Sequence, residues 1–272
     1  MFGLDGDDIL QQLSDTIVDI DIVIRELVKL LSSDITTSAG WSTVMKMVEI
    51  SKTIALLLVV AYWLIGFINE LTEIDWRHLS IWWYVKKIIQ LILAKALVDL
   101  APDICTSIYS FVGWAIEEYA PVGNFTRIYL GVNFSAMESS IDSMGFMEKL
   151  IFKMDLMVPQ LVVSLSSVVI QVMAYIRMMS IYLLVVVSPI CLSTVVNKGV
   201  SGCYSFIKEY VGTVAQSVIM ILAFNLFRTM ISGIIMREVT GWESIWKLTV
   251  SVIVLVITIL SSQSIAKMLT GR

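Results

Sequence analysis

Apolar positions fall at two kinds of spacing along this chain. From Leu4 to Leu31, Ile9, Leu10, Leu13, Ile17, Ile20, Ile24, Leu27 and Leu31 recur at the spacing of one helix face. Asp7, Asp8, Asp15, Asp19, Asp21 and Glu26 interleave with them, which predicts an amphipathic helix rather than a membrane crossing. Ser32 to Ser42 is rich in Ser and Thr, contains Gly40 and reads as a linker, so residues 1–42 form one region and 43–272 another.

After residue 42 the apolar positions merge into long uncharged blocks. Thr53 to Asn69 carries no charge and predicts a crossing between Lys52 and Glu70, extendable backwards through Val44 and Val48. Ile88 to Ile116 is apolar but holds Lys95, Asp99, Asp103 and Pro102, and a kink or break is expected at the proline because it removes a donor and crowds the Val98 carbonyl. Residues 117–155 turn polar and read as an extramembrane loop, with a short surface helix over Ser143 to Asp155. From Leu156 to Asn197 the only charge is Arg177. One helix of that length reaches about 60 Å, roughly twice the hydrocarbon thickness, so the block is either a single long helix bent around Pro189 or a hairpin turning near Arg177. A polar break at Asn197, Lys198, Gly199, Ser201 and Gly202 precedes two more blocks, Tyr204 to Ile235 and Leu248 to Ala266. The predicted fold is an all-α polytopic transmembrane helical bundle of about five crossings, or six with the hairpin.

Composition agrees. Apolar residues make up 57% of 272 and charged residues 15%, well below the usual quarter for a soluble domain, with mean hydropathy +0.85. The formal charge of −4 and pI near 5.1 give no global attraction to phosphate and argue against a dedicated nucleic-acid module. Up to Leu31, seven acidic residues stand against Arg25 and Lys29, which suits a partner helix or the outer membrane surface better than an anionic cytoplasmic leaflet; folding back onto the chain's own bundle fits equally. Met1 to Asp8 lacks the basic start of a secretory signal, so a retained N-terminus is expected. Arg77, His78, Lys86 and Lys87 alternate with Trp76, Trp82, Trp83 and Tyr84, an interfacial pattern that puts this turn in the cytoplasm and the N-terminus outside. Cys105, Cys191 and Cys203 read as buried thiols.

The same residues bound the chemistry. His78 is the one histidine, so the paired ligands of an intramembrane zinc hydrolase are missing, and no G-x-S-x-G elbow or phosphate-cradling G-x-x-x-x-G-K-[ST] loop occurs. No catalytic residue, metal or cofactor is predicted, and any energy must come from a partner. Asp99 and Asp103 sit four apart on one helix, whereas a carboxylate dyad joins two chain segments; a Lys95–Asp99 pair that lowers the cost of charge in the membrane is the simpler expectation. Gln160, Gln171, Gln216, Asn225 and Arg228 complete the intramembrane polar groups, the amides being expected as interhelical glue. Lys95, Asp99, Asp103 and Arg177 remain as candidates for polar or pore-facing roles. In a single helix Arg177 needs an acceptor, for which Asp99 or Asp103 is available; in a hairpin turn it could snorkel to headgroups.

Tyr182 to Val196, YLLVVVSPICLSTVV, followed by Asn197, Lys198 and the block Tyr204 to Leu222, resembles the signature region of the TrbL family of conjugal transfer proteins. These are polytopic components of type IV secretion systems corresponding to the sixth VirB protein. In that family a span ends in a small residue, a proline and an aliphatic residue before a polar break, places filled here by Ser188, Pro189 and Ile190. The tail Ser261 to Arg272 is similar to compact versions from Gram-positive conjugative elements. The resemblance covers Leu156 to Arg272, and the first half in hydropathy only. It implies a multi-pass protein of the cell membrane with an outside N-terminus, a large external loop after the second crossing and an inside C-terminus. It further implies a homo-oligomeric, non-enzymatic scaffold or channel subunit, working with other secretion membrane subunits and separate ATPases on translocated single-stranded DNA or protein. From the residues alone, a secondary transporter or ion channel for a small solute, with Lys95, Asp99 and Arg177 as its site, is the competing expectation.

Overall fold

A computed structural model describes residues 11, 14–15, 18, 22–26, 28–31, 35–38, 40–73, 81–119, 141, 143–230 and 242–269. Among these residues almost all are helical and none is in a strand. After a short 3-10 turn at Ile35–Thr37 come α1 (Trp41–Glu73), α2 (Ile81–Tyr119), α3 (Phe146–Ser193), the four-residue α4 (Val195–Lys198), α5 (Val200–Met230) and α6 (Trp242–Leu269). Among the described residues four stretches suffice by length and composition to cross a membrane: Trp41–Thr72, Phe146–Asn197, Ser201–Phe227 and Thr249–Met268. The 39 residues of α2 are equally long, but three charges interrupt its apolar block. The protein is thus an all-α polytopic membrane bundle.

The long block after Leu156 is resolved in favour of one helix. The backbone passes Arg177 without a turn, and the hairpin needed for six crossings does not form. At 48 residues α3 is about 72 Å long. The short helix expected over Ser143 to Asp155, leading into the following span, is the start of α3 and runs on into it without interruption. Gly145 N–H donates to Glu148 Oε2 at 2.9 Å, the reciprocal half of a capping box, and Glu148 also sets a negative charge in the first turn. Pro102 does not break α2, which continues to Tyr119, so both ends of the expected 117–155 loop are helical; residues 120–140 lie outside the described residues.

The chain divides into two compact units. The first comprises Met1–Ser32, Ala115–Ile176 and Gln216–Ile265. Ile24, Val28 and Leu31 are buried there, so the described part of the amphipathic helix turns its apolar face into the chain itself. Phe152, Leu156, Val163, Ile170 and Ala174 form the buried face of α3 in this unit. Met220, Ile221 and Phe224 do the same on α5, and Val252, Leu255 and Ile259 on α6. Gln216 Nε2 donates to Ser262 Oγ at 3.0 Å between α5 and α6, both residues being buried, which is the interhelical role expected of such amides.

The second unit comprises Ser33–Trp114, Arg177–Ala215 and Ala266–Arg272. Its core cluster is Ala55, Val59, Ala94, Val98 and Val196, with Ile190 and Leu91 packed against it. Two of these places are alanines, small side chains of the kind that suits packing between membrane helices. Tyr182 ties α3 to the entrance of α1: its hydroxyl donates to Ser38 Oγ at 2.7 Å, and its ring lies 6.5 Å from that of Trp41. Gln90 Nε2 on α2 donates to the Val196 carbonyl at 2.7 Å, satisfying an acceptor that the four-residue α4 leaves open. The reversal into α5 is made at Gly199, with φ 61° and ψ −152°, in the polar break that the sequence marks.

Candidate functional site

The outward face of α2 carries the polar groups that the sequence singles out. Leu100 is the middle residue of α2, and Lys95, Asp99 and Asp103 bracket it at successive i, i+4 steps, so they share one side of the helix. All three are exposed, and Ser107 and Ser110 continue the exposed polar stripe. The opposite side, Ala94, Val98, Ala101, Cys105 and Tyr109, is buried. Small and apolar side chains at those positions make the packed face, which forces the charges outward. Among the described residues no ion pair joins Lys95 to Asp99, contrary to expectation. With lysine N-terminal to the aspartate the pair has the weaker orientation on a helix, and both side chains extend away from the chain.

Arg177 is treated in the opposite way. It lies in α3 and is 6% exposed, so it faces protein. Its expected acceptors, Asp99 and Asp103, are on the outward face of α2 and do not reach it. Arg177 Nη2 instead donates to the Gly212 carbonyl on α5 at 3.5 Å, the outer limit of a hydrogen bond, and its buried Nε has no partner among the described residues. The stripe and the arginine are therefore two separate polar features.

Ser188, Pro189 and Ile190 do not terminate α3, which continues to Ser193. Pro189 has no N–H to give the Val185 carbonyl four residues back, and Ser188 Oγ donates to that carbonyl at 2.7 Å. The hydroxyl before the proline thus replaces the hydrogen bond that the proline removes. Ile190 packs on the α1/α2 cluster. Helix termination follows a few residues later, where Ser193 Oγ donates to the Ile190 carbonyl at 2.6 Å and Thr194 Oγ1 to the Cys191 carbonyl at 2.8 Å. Such local hydroxyl bonds offer the last carbonyls an alternative to the helix ladder.

Two polar contacts were not foreseeable from local sequence. Lys87 is buried and pairs with Glu70, the Trp83 indole N–H donates to the other Glu70 oxygen at 3.1 Å, and Lys87 Nζ lies 5.9 Å from the Trp83 ring centre. Trp63 Nε1 donates to the Lys87 carbonyl at 3.0 Å, while Phe67 stacks on Trp63 at 5.1 Å and meets the Trp83 ring at a tilt, 5.3 Å away. The aromatic spacing signals an interface, but the pairing of Glu70 with Lys87 depends on how α1 and α2 align. Tyr210, fully buried on α5, donates to the Cys105 carbonyl on α2 at 2.9 Å. Cys105 and Cys203 are buried and Cys191 is half-buried. His78 and the Arg228 side chain lie outside the described residues.

The sequence model of one protein family, described as TrbL/VirB6 plasmid conjugal transfer like protein, matches residues 41–189. The match begins with α1 and ends at Pro189, so it rests mainly on the half of the chain where hydropathy alone had carried the resemblance. No curated protein and no solved structure matches the chain.

Proposed function

The chain belongs to the TrbL/VirB6-like conjugal transfer family, and on that footing we propose that it is an oligomeric, non-enzymatic scaffold or channel subunit of a type IV secretion machine. The observation that supports this reading is the exposed stripe Lys95, Asp99 and Asp103 at the middle of a membrane-length helix. A central charge facing acyl chains costs about 2.5–3.5 kcal/mol on insertion scales, so three such charges call for water or another protein subunit along that face. A subunit lining or bordering a translocation path supplies both. The chain brings no phosphate-binding loop, so the energy is supplied by separate ATPases, and the cargo is single-stranded DNA or protein.

The test is Asp99→Asn with Asp103→Asn in the full chain. The double variant is expected to insert normally and lose conjugal transfer. Wild-type transfer would remove the stripe from the mechanism. Solute flux in liposomes containing the purified chain alone, abolished by the same substitutions, would favour the small-solute transporter. The proposed orientation places the N-terminus and residue 139 outside and residue 80 inside. In a cysteine-free background Ser139→Cys but not Ser80→Cys should react with an impermeant thiol reagent on intact cells, and the reverse result would invert the topology.

A further inference from the structure

We infer that the reversal between α3 and α5 lies inside the bilayer, as a re-entrant turn that opens onto a water-filled cleft on the side reached by the α1–α2 connection. This placement holds for the chain whatever it transports. The turn and the stretches of α1 and α2 against which its depth is measured all belong to the second unit.

Two features of α1 and α2 place the bilayer. Thr53 to Asn69 carries no charge, and from Lys52 to Glu70 the helix rises about 27 Å, close to the hydrocarbon thickness of about 30 Å. Along this block Leu57, Val60, Leu64, Ile65 and Ile68 are each between 46% and 69% exposed, a face suited to acyl chains. At its far end Glu70 takes the Trp83 indole N–H and pairs with Lys87, beside exposed Trp82, Tyr84 and Lys86. Aromatic and basic side chains together mark a membrane boundary.

The turn stops well short of that boundary. Val196 on α4 shares a core cluster with Ala55 and Val59 of α1 and with Ala94 and Val98 of α2. Val59 is eleven residues from Glu70 and Ala94 is eleven from Trp83, so both helices continue about 16 Å past the cluster. Gln90, which donates to the Val196 carbonyl, is seven residues from Trp83, about 10 Å. The turn therefore sits about 10–16 Å beneath the boundary. A bilayer edge drawn at the level of the turn would instead leave Leu64, Ile65, Ile68, Ile81 and Ile88 in water, all of them exposed.

The character of the turn selects what covers it. Asn197, Gly199 and Ser201 are exposed, the helix breaks at Gly199, and α5 starts at Val200 with first-turn amides that no preceding turn of helix can satisfy. Irregular backbone at membrane depth is tolerated inside protein or against water, and not against acyl chains. This chain leaves the turn open, so its cover is water entering from the nearer face. Between the floor of the cleft and the opposite face roughly 14–20 Å of hydrocarbon remains, in place of about 30 Å.

The experiment uses the full chain in its native membrane with Cys105, Cys191 and Cys203 replaced by Ser. Asn197→Cys is compared with Thr72→Cys, exposed at the end of α1, and Ser201→Cys repeats the test at a second position of the turn. A small charged methanethiosulfonate is expected to label the turn variants and Thr72→Cys from the same face, in either intact cells or sealed inverted vesicles. In membranes opened to both faces, a maleimide carrying a long polymer is expected to label Thr72→Cys only. Polymer labelling of the turn as complete as at Thr72→Cys would put the turn at the surface. Failure of the small reagent at both turn positions would mean that lipid or protein covers it, and labelling from opposite faces would reverse the cleft. Each of these results overturns the proposal. As a check independent of accessibility at the turn, bimane on Leu57→Cys is expected to lose its emission in liposomes whose lipids are spin-labelled on the acyl chain, while bimane on Thr72→Cys keeps it. Equal emission from the two would remove α1 from the hydrocarbon and overturn the placement of the turn with it.

Discussion

Among the described residues two basic side chains are buried in the second unit, Lys87 at 8% exposure and Arg177 at 6%, and their surroundings could hardly differ more. Lys87 has a carboxylate from Glu70, the face of Trp83 and an indole bond to its own carbonyl. Arg177 is held by a backbone carbonyl at 3.5 Å, and its Nε has no hydrogen-bond partner among the described residues. A buried charge is ordinarily paired or heavily hydrogen-bonded, because the desolvation cost is otherwise uncompensated. Lys87 meets that condition within the chain, which makes it part of a structural clamp. Arg177 does not, and a residue kept at such a cost is the better candidate for a role that the isolated chain does not complete.

Substitution can break this contrast. Arg177→Leu removes the under-satisfied guanidinium and is expected to leave unfolding in detergent within about 1 kcal/mol of wild type, or to stabilise the chain, while abolishing DNA transfer. A loss of stability matching the loss of transfer would mean that Arg177 is structural after all. Glu70→Gln should act in the opposite sense. Leaving Lys87 without its counter-charge is expected to cost about 1–3 kcal/mol of stability, with Lys87→Met added to Glu70→Gln recovering part of it in a double-mutant cycle. If the cycle shows no coupling, the pair contributes nothing beyond its separate members. The smallest effect is expected from Trp83→Phe, which keeps the ring but deletes the indole bond to Glu70 and should cost about 0.5–1.5 kcal/mol in the same unfolding measurement, with transfer unchanged.

The same contrast shows what the sequence discloses and what it withholds. The long apolar blocks, the amphipathic start and the break at Gly199 were legible because each follows from local spacing, charge and turn chemistry. The pairing of Arg177 with Asp99 or Asp103 was inferred from the shortage of other intramembrane carboxylates, and it failed because the rotation of α2 decides the matter. Ala94, Val98 and Ala101 pack inward, so the aspartates point out. That rotation depends on residues distant in the chain, Val59 and Val196 among them. The Glu70–Lys87 pair is not legible for the same reason, since its 17-residue separation joins two helices whose relative alignment local patterns do not fix. Ser188 was noted only as the small residue before a proline. Its compensating bond to Val185 is a local geometric consequence, and the serine hydroxyl was the signal that could have revealed it.

Gly199 carries a consequence of a different kind. A Cβ built on it would meet no heavy atom within 4 Å, so nothing crowds the position. Its constraint lies in φ 61° and ψ −152°, a combination almost confined to glycine among the encoded residues. Reflected, those angles fall in the ordinary polyproline region. The reversal between α3 and α5 is therefore a matter of handedness rather than of space: a Cβ has room there and the wrong chirality, while a D-alanine would sit at Gly199 without strain.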